Sequence, residues 1–306
     1  MHAGRHAGAI AAGITVVLWS SAFVGIRAAG EDLSAGPLTL GRLLVAAVAL
    51  GALVAVRGDA APPRRDLPRL VVCGLLWFGA YNVMLNAAEQ DIDAGTAAML
   101  VNVGPVFLAV LAGLLLHEGF PRSLVVGCAI AFAGAVVIGI GTSQRGVEAS
   151  WGAALCVAAA AAYAGGVVAQ KPLLERTSGL QITFLACLVG ALACLPFAPA
   201  LVDEAGDASG EAIAWTVYLG VGPTAIGFST WAYALARTSA GKLGATTYLV
   251  PPLTILMGWA LLDESPPLLA FAGGALCLVG VAVTRGVRLR RARRPELEAA
   301  VQRAGG

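Results

Sequence analysis

The side chains in this chain that could do chemistry are few, and they lie inside long apolar runs. Thr15, Trp19 and Phe23 recur every four residues, a spacing that puts them on one face of a helix. Tyr81 stands beside Asn82 and Asn86, again four apart, and Tyr163 and Gln170 lie two helical turns apart. Thr224, Phe228 and Trp231 follow one stripe. Asn102 and Tyr248 each come three residues before a proline, Pro105 and Pro251. Arg42 is the one basic residue clearly within a run. Amides, hydroxyls, rings and one guanidinium recognise a ligand by hydrogen bonding and stacking. They do not by themselves cleave one.

Polar groups within a bilayer are costly unless they face a partner or a cavity, so these residues are where a substrate would be sought. A lining of this kind suits a small amphipathic solute such as an amino acid. Competing readings stand beside that one. The aromatics could be ordinary helix packing or interface anchors. The asparagines could bond between helices without touching substrate. Arg42 could hold a carboxylate or phosphate, or it could snorkel to the headgroups or pair with Glu31 or Asp32.

Enzymatic readings lack their parts. No Ser/His/Asp constellation is legible, and no GxxxxGK[ST] loop exists for ATP. The three histidines, His2, His6 and His117, form no cluster. All six cysteines lie in apolar runs without CxxC spacing, as small packing residues do. No catalytic residue, metal or cofactor is expected, and no aspartate or glutamate falls at mid-membrane. The net charge of +2 points to no nucleic-acid partner. The arginine-rich residues 287–306 read as a cytoplasmic tail drawn to anionic lipid, at about 1 kcal/mol per basic residue.

The elements that must position these side chains are membrane helices. Of 306 residues, 58% are hydrophobic and 12% charged, with a mean hydropathy of +0.81. A soluble domain carries about 25% charged residues. Crossing the hydrocarbon takes roughly 20 apolar residues. Ten runs qualify, at roughly 9–27, 36–56, 70–88, 95–116, 121–140, 151–170, 180–200, 213–235, 241–262 and 267–285. The first is too long for a signal-peptide core and is read as a retained span. Basic residues gather in the alternate connections that share a side with both termini. This predicts cytoplasmic N- and C-termini. Acidic stretches such as "EQDID" (89–93) and "DEAGDASGE" (203–211) fall in the opposite connections.

The chain also repeats. Shifted by 146 positions, residues 94–140 fall on 240–286 with Ala94/Ala240, Gly95/Gly241, Pro105/Pro251, Glu118/Glu264, Gly127/Gly273 and Gly134/Gly280 identical. Each unit holds five spans, an odd number, so successive units must cross the bilayer in opposite senses. The expected fold is therefore all-α and polytopic: ten transmembrane helices as two inverted five-helix repeats, residues 1–141 and 142–286. Inverted repeats with a site between them are the architecture of secondary transporters. Each proline frees the carbonyl four residues earlier, that of Val101 or Thr247, which is tolerated in lipid only beside a wet or protein-lined interior. Glu118 and Glu264, each ending a span, read as gating contacts or caps of a neighbouring helix, against simple solvation. The glycines of the fifth and tenth spans permit close helix contact, within the bundle or in a homodimer.

With Trp19-Ser20-Ser21-Ala22-Phe23 in the first span, Pro37 followed by Arg42 in the second, and the Pro…Glu runs of the fourth and ninth, the chain resembles the drug/metabolite transporter superfamily. The EamA-like family is the nearest match in pattern. The resemblance implies a ten-helix exporter or permease for small metabolites in a bacterial inner membrane. It is similar in kind to amino-acid exporters, with drug and nucleotide-sugar carriers as the other relatives; a non-transporting membrane scaffold or sensor built on the same bundle is the rival reading. Ser20 departs from the usual glycine, and the sixth span has Tyr163-Ala164-Gly165-Gly166 where a second Trp-Gly would stand.

Overall fold

The computed structural model describes residues 2–91, 94–142, 151–262, 268–269 and 271–284. All regular structure among them is helical. Helix α1 spans His2–Ala29 and α2 Ala35–Arg57. A rod then runs through a 3₁₀ turn (Arg64–Asp66), α3 (Leu67–Cys73), a π-helical stretch (Gly74–Ala80) and α4 (Tyr81–Asp91). Next come α5 (Ala94–Val101), α6 (Gly104–Leu115), α7 (Arg122–Thr142), α8 (Trp151–Leu173) and α9 (Gly179–Ala193). After a 3₁₀ turn at Leu195–Phe197 follow α10 (Ala198–Asp207) and a second rod. That rod joins α11 (Gly210–Leu219), a π-helical stretch (Gly220–Gly227) and α12 (Phe228–Leu235). Then α13 (Ala240–Gly244) leads through a 3₁₀ segment (Ala245–Leu249) into α14 (Val250–Leu262), and α15 covers Phe271–Thr284.

Five of these are long and apolar enough to cross a membrane alone: α1, α2, the 64–91 rod, α8 and the 210–235 rod. A sixth span arises if α9 and Leu195–Asp207 are joined. They meet at 52°, so the straight seventh helix expected at 180–200 is corrected to a bent one. Pro196 and Pro199 supply the cause, since neither has an N–H to continue the ladder. Residues 203–207, expected in a connection, extend the bent arm. Of the other four expected runs, 121–140 is filled by the continuous helix α7, the fourth and ninth runs are each broken before their proline, and the tenth is described as helix over Phe271–Thr284.

Local chemistry sets the ends. Gly58 adopts φ +65°, a left-handed conformation open to glycine, and its amide closes α2 on Val54 O at 3.0 Å. Ser178 and Ser209 cap α9 and α11 by accepting from Gln181 N (3.1 Å) and Ala212 N (3.2 Å).

The 146-residue shift is written into the backbone beyond the expected runs. It carries the π-helical stretch at Gly74–Ala80 onto the one at Gly220–Gly227. A widened turn strands carbonyls, and side chains answer them. Asn82 Nδ2 donates to Trp77 O (3.1 Å) and Phe78 O (2.9 Å), while Thr224 Oγ1 donates to Leu219 O (2.7 Å). The two stretches begin on equivalent glycines, and each glycine abuts a helix of the other half. A methyl group on Gly74 would lie 2.7 Å from Ala186 O of α9, and one on Gly220 2.8 Å from Arg42 O of α2.

Helices α7 and α15 cross by glycine contact inside one chain. A methyl on Gly127 would lie 2.7 Å from Gly280 O, and one on Gly134 2.6 Å from Gly273 O. The shift turns the first pair into the second, so the two helices run antiparallel about their crossing. Cys277 Sγ meets Ala131 O at 3.4 Å, and those two positions are themselves 146 apart.

Candidate functional site

The apolar core is dense with rings near its middle. Trp19 of α1 stacks on Trp231 of α12, with centroids 5.0 Å apart and planes inclined by 29°. Phe228 lies 4.8 Å from Trp77 and 4.5 Å from Phe78, and Trp77 sits edge-on to Tyr163 at 5.6 Å. Glycines make this room: a methyl on Gly166 would fall 2.5 Å from Trp77 Cβ, and one on Gly104 2.9 Å from the Tyr163 ring. Offset and edge-to-face pairs of this kind are each worth about 0.5–1.5 kcal/mol beyond area burial.

A cavity opens against this cluster. Trp19, Ala22, Phe23 and Ile26 form its α1 wall, and Arg42 comes from α2. The first rod adds Trp77, Tyr81, Asn82 and Leu85, and the break before α6 adds Val101, Asn102 and Pro105. Tyr163, Phe228, Thr247 and Val250 close it from the second half. Two pairs of these positions, Asn82/Phe228 and Val101/Thr247, are related by the 146-residue shift, so both halves contribute equivalent backbone to one chamber. About 70 Å³ of it is open to the centre of a water molecule. A water needs about 10–15 Å³ of such space, which leaves room for about five waters.

Arg42 is the one charged side chain on this wall. It is 3% exposed, and its Nε donates to Thr224 Oγ1 at 3.1 Å. The bond to Thr224 aims the guanidinium inward, and Thr224 itself stands behind the wall. Among the described residues Arg42 pairs with neither loop carboxylate, and Asp32 instead accepts from Ser209 N at 2.8 Å.

Eight of the residues singled out above thus meet at one chamber: Trp19, Phe23, Arg42, Tyr81, Asn82, Asn102, Tyr163 and Phe228, with Pro105 beside them. Asn102 Nδ2 donates back to Ala98 O at 2.5 Å across the break. The others lie elsewhere. Thr15 ties α1 to the second rod, meeting Gly227 O (3.2 Å) and Thr230 Oγ1 (2.8 Å). Asn86 Nδ2 donates to Thr39 Oγ1 at 2.9 Å, between α4 and α2. Gln170 is fully buried away from the wall, and neither of its amide atoms has a hydrogen-bond partner among the described residues. Trp231 stands behind Trp19. Tyr248 packs with Leu124, Cys128, Ala131, Cys277 and Val281 rather than on the wall. Pro251 begins α14 next to Val250, which does line the cavity. Glu118 caps the next half: Oε1 accepts from Ala240 N (2.7 Å) and Oε2 from Gly241 N (3.1 Å). Its counterpart Glu264 lies outside the described residues, as do residues 287–306.

Three residues escaped the reading of the sequence. Trp77 and Phe78 stand at the centre of the ring cluster, and the four-residue step from Trp77 to Tyr81 was the available signal. Glu89 is the third. Its place in "EQDID" suggests a solvated connection, yet it sits on α4 with both carboxylate oxygens sealed from solvent.

Comparison with known proteins gives consistent findings. The profile of the EamA-like transporter family matches twice, at residues 6–140 and 150–286. The chain is 41% identical to a probable terminal-alkyne amino-acid exporter of Streptantibioticus cattleyicolor, over 88% of this chain and 90% of that one. It is 30% identical to an uncharacterised transporter of Bacillus subtilis, covering 89% and 88% of the two chains. A probable amino-acid metabolite efflux pump of Salmonella typhimurium is 26% identical, covering 92% and 96%. One solved crystal structure superposes with a TM-score of 0.77 over 94% of this chain and 99% of its own, at 22% identity, a likeness of fold.

Proposed function

The chain belongs to the EamA-like transporter family, and on that premise we propose that it exports small amino-acid-like metabolites by alternating access between two inverted five-helix units. The observation that carries this reading is the chamber itself, with a single guanidinium set into a wall of rings and amides. Arg42 takes the substrate's carboxylate with its planar fork. The substrate's apolar side chain lies against Trp19, Trp77 and Phe228. Its ammonium meets ring faces and the Asn102 and Asn82 amides. No bond is made or broken in the substrate.

Three features support this over its neighbours. The small free volume and single cation are poorly suited to a nucleotide sugar, whose diphosphate calls for more positive charge. The names of two relatives, an amino-acid exporter and an amino-acid metabolite efflux pump, point to the same chemistry. The exchange of contacts at the α7–α15 crossing supports inverted units at residues 1–141 and 142–286. The asymmetry of basic residues supports a multi-pass membrane protein with both termini in the cytoplasm.

The test is efflux of radiolabelled amino acids from proteoliposomes. A hydrogen bond to a charged group is worth about 1.5–3 kcal/mol, so Arg42→Ala is expected to raise KM roughly 10- to 100-fold. Arg42→Lys, which keeps the charge but loses the fork, falls between. An Arg42→Ala protein with unaltered KM for every amino acid carried would overturn the assignment.

A further inference from the structure

Glu89 has no place in the recognition scheme above, although it is a carboxylate shut away from water. Neither oxygen meets a hydrogen-bond donor among the described residues. On α4 it continues the stripe of Asn82 and Leu85, both on the cavity wall, one turn beyond Leu85. The charged and titratable groups that feel it come from α4 itself and from three helices packed on it. They are Arg27 of α1, Arg42 of α2, Tyr81 of α4 itself and Cys156 of α8. Helix α5 also packs on α4 and contains no titratable side chain.

A buried carboxylate with no donor on either oxygen is costly as an anion. A proton relieves it, as do the fields of the Arg42 and Arg27 guanidinium groups, and among the described residues Arg42 is hydrogen-bonded through Nε alone. We propose that Glu89 is a proton-binding site linked to the substrate, so that proton and substrate cross the membrane together. This rests on the reading that Arg42 holds the substrate's carboxylate.

The sign follows from a shared partner. A substrate carboxylate on Arg42 neutralises the charge that would stabilise ionised Glu89, so an occupied Arg42 favours protonated Glu89. By reciprocity, protonated Glu89 favours the bound substrate. The balance closes over one cycle. The zwitterionic substrate binds, and Glu89 takes one proton from the solution on that side. Both are released on the other side, where the O–H bond of Glu89 breaks and the proton goes to water. Glu89 then returns ionised, its charge balanced by Arg42. Substrate efflux accordingly carries protons outward and draws on the substrate's own gradient.

Two readouts on the purified full-length chain test this. Infrared spectroscopy needs no substrate. A protonated-carboxyl C=O band is expected to grow in the substrate-free wild type as the pH is lowered from about 9 to about 5, and to be missing from Glu89→Gln; a titrating band unchanged by that substitution overturns the proposal. Tryptophan fluorescence then follows binding of L-leucine and L-propargylglycine from about pH 5 to about pH 9. Linkage to one proton limits the effect to tenfold in affinity per pH unit. Wild-type affinity is expected to strengthen at least tenfold toward acid, while Glu89→Gln, the mimic of the protonated form, stays flat at the strong-binding limit. Glu89→Asp keeps the dependence with a displaced midpoint, which guards against a misfolded Gln variant. A wild-type affinity that ignores pH, or a Glu89→Gln protein that keeps the wild-type dependence, overturns the proposal. If neither probe binds the wild type at any pH, the Arg42 reading fails, and the infrared band alone then decides whether Glu89 holds a proton.

Discussion

The fourth and ninth runs begin from nearly the same sequence and put it to different uses. In the first half, α5 stops at Val101 and α6 starts at Gly104, with Pro105 in its opening turn. In the second half, the chain tightens into 3₁₀ geometry at Ala245–Leu249 before α14 takes up Pro251. Both breaks fall just before the proline, where its missing N–H and its ring disrupt the preceding turn. The side chains then part company. Asn102 faces the chamber, while the equivalent Tyr248 is fully buried against α7 and α15. Duplication has preserved the backbone device and released the side chains, so that one copy recognises and the other packs.

If the two halves are held in register by the α7–α15 crossing, damage there should reach both stability and transport. Gly134→Leu would drive a side chain into Gly273 O, Cys277 N and Cys277 Sγ, all within 2.9 Å of its Cβ. Overpacking a tight core typically costs about 1–3 kcal/mol, and here the opposing atoms are largely backbone, which cannot turn aside. Thermal unfolding in detergent should show a loss of at least that size, together with failing transport. Gly13→Leu is the control, since nothing lies within 4 Å of a Cβ at that position. Equal loss in both variants would remove the crossing from the argument.

The comparison of the two breaks is sharpened by truncating each in turn. Tyr248→Ala empties a fully buried site, and aromatic-to-alanine changes in cores cost about 3–5 kcal/mol. Its transport, measured in whatever protein remains folded, should keep the wild-type KM. Asn102→Ala should reverse the pattern, with little change in unfolding temperature and a KM raised several-fold, as one neutral hydrogen bond of about 1 kcal/mol implies. A KM effect from Tyr248 larger than that from Asn102 would invert the division of labour drawn here.

The run pattern, the repeat and most of the chamber were legible because each leaves a local mark. Apolar length marks a span, a four-residue step marks a face, and identical prolines and glycines mark equivalence. The π-helical stretches left no such mark. Pro223 hints at one, but Gly74–Ala80 holds no proline and packs on α9, a neighbour about 100 residues or more away in the chain. The bend at Cys194–Phe197 carried a visible Pro196, yet apolar residues on both sides concealed it. Glu89 was misplaced because charge alone reads as solvent, whereas its burial depends on how α4 seats against α2 and α8. Thr15, Gln170 and Tyr248 show the converse. A polar or aromatic group in a span must have some neighbour, and the sequence does not say whether that neighbour is another helix or a chamber.

The smallest expected effect concerns the two ends of the bundle, which are tethered by related contacts between the halves. At one end Asp32 accepts from Ser209 N (2.8 Å), and Glu204 receives the amide and hydroxyl of Ser34 (2.8 and 2.6 Å). At the other, Ser178 donates to Asp59 (2.6 Å) and Arg176 pairs with Asp66 (3.3 Å). The 146-residue shift carries the loop holding Asp32 onto the one holding Ser178, so the tethers are counterparts. Alternating access would require each end to let go in turn, which exposed hydrogen bonds permit more readily than buried ones. The hydrogen bonds from Ser209 hold the Asp32 carboxyl below its ordinary range. A depressed carboxyl contributes stability above its unfolded value, and that contribution is lost as the pH falls through the folded value. Asp32→Asn should therefore unfold slightly below the wild type near neutrality, and the difference should vanish as the pH drops below about 4, the unperturbed aspartate range. A gap between the two proteins that persists or widens in acid would mean that Asp32 does not act through its charge, and the tether at that end would then rest on Glu204 and Ser34.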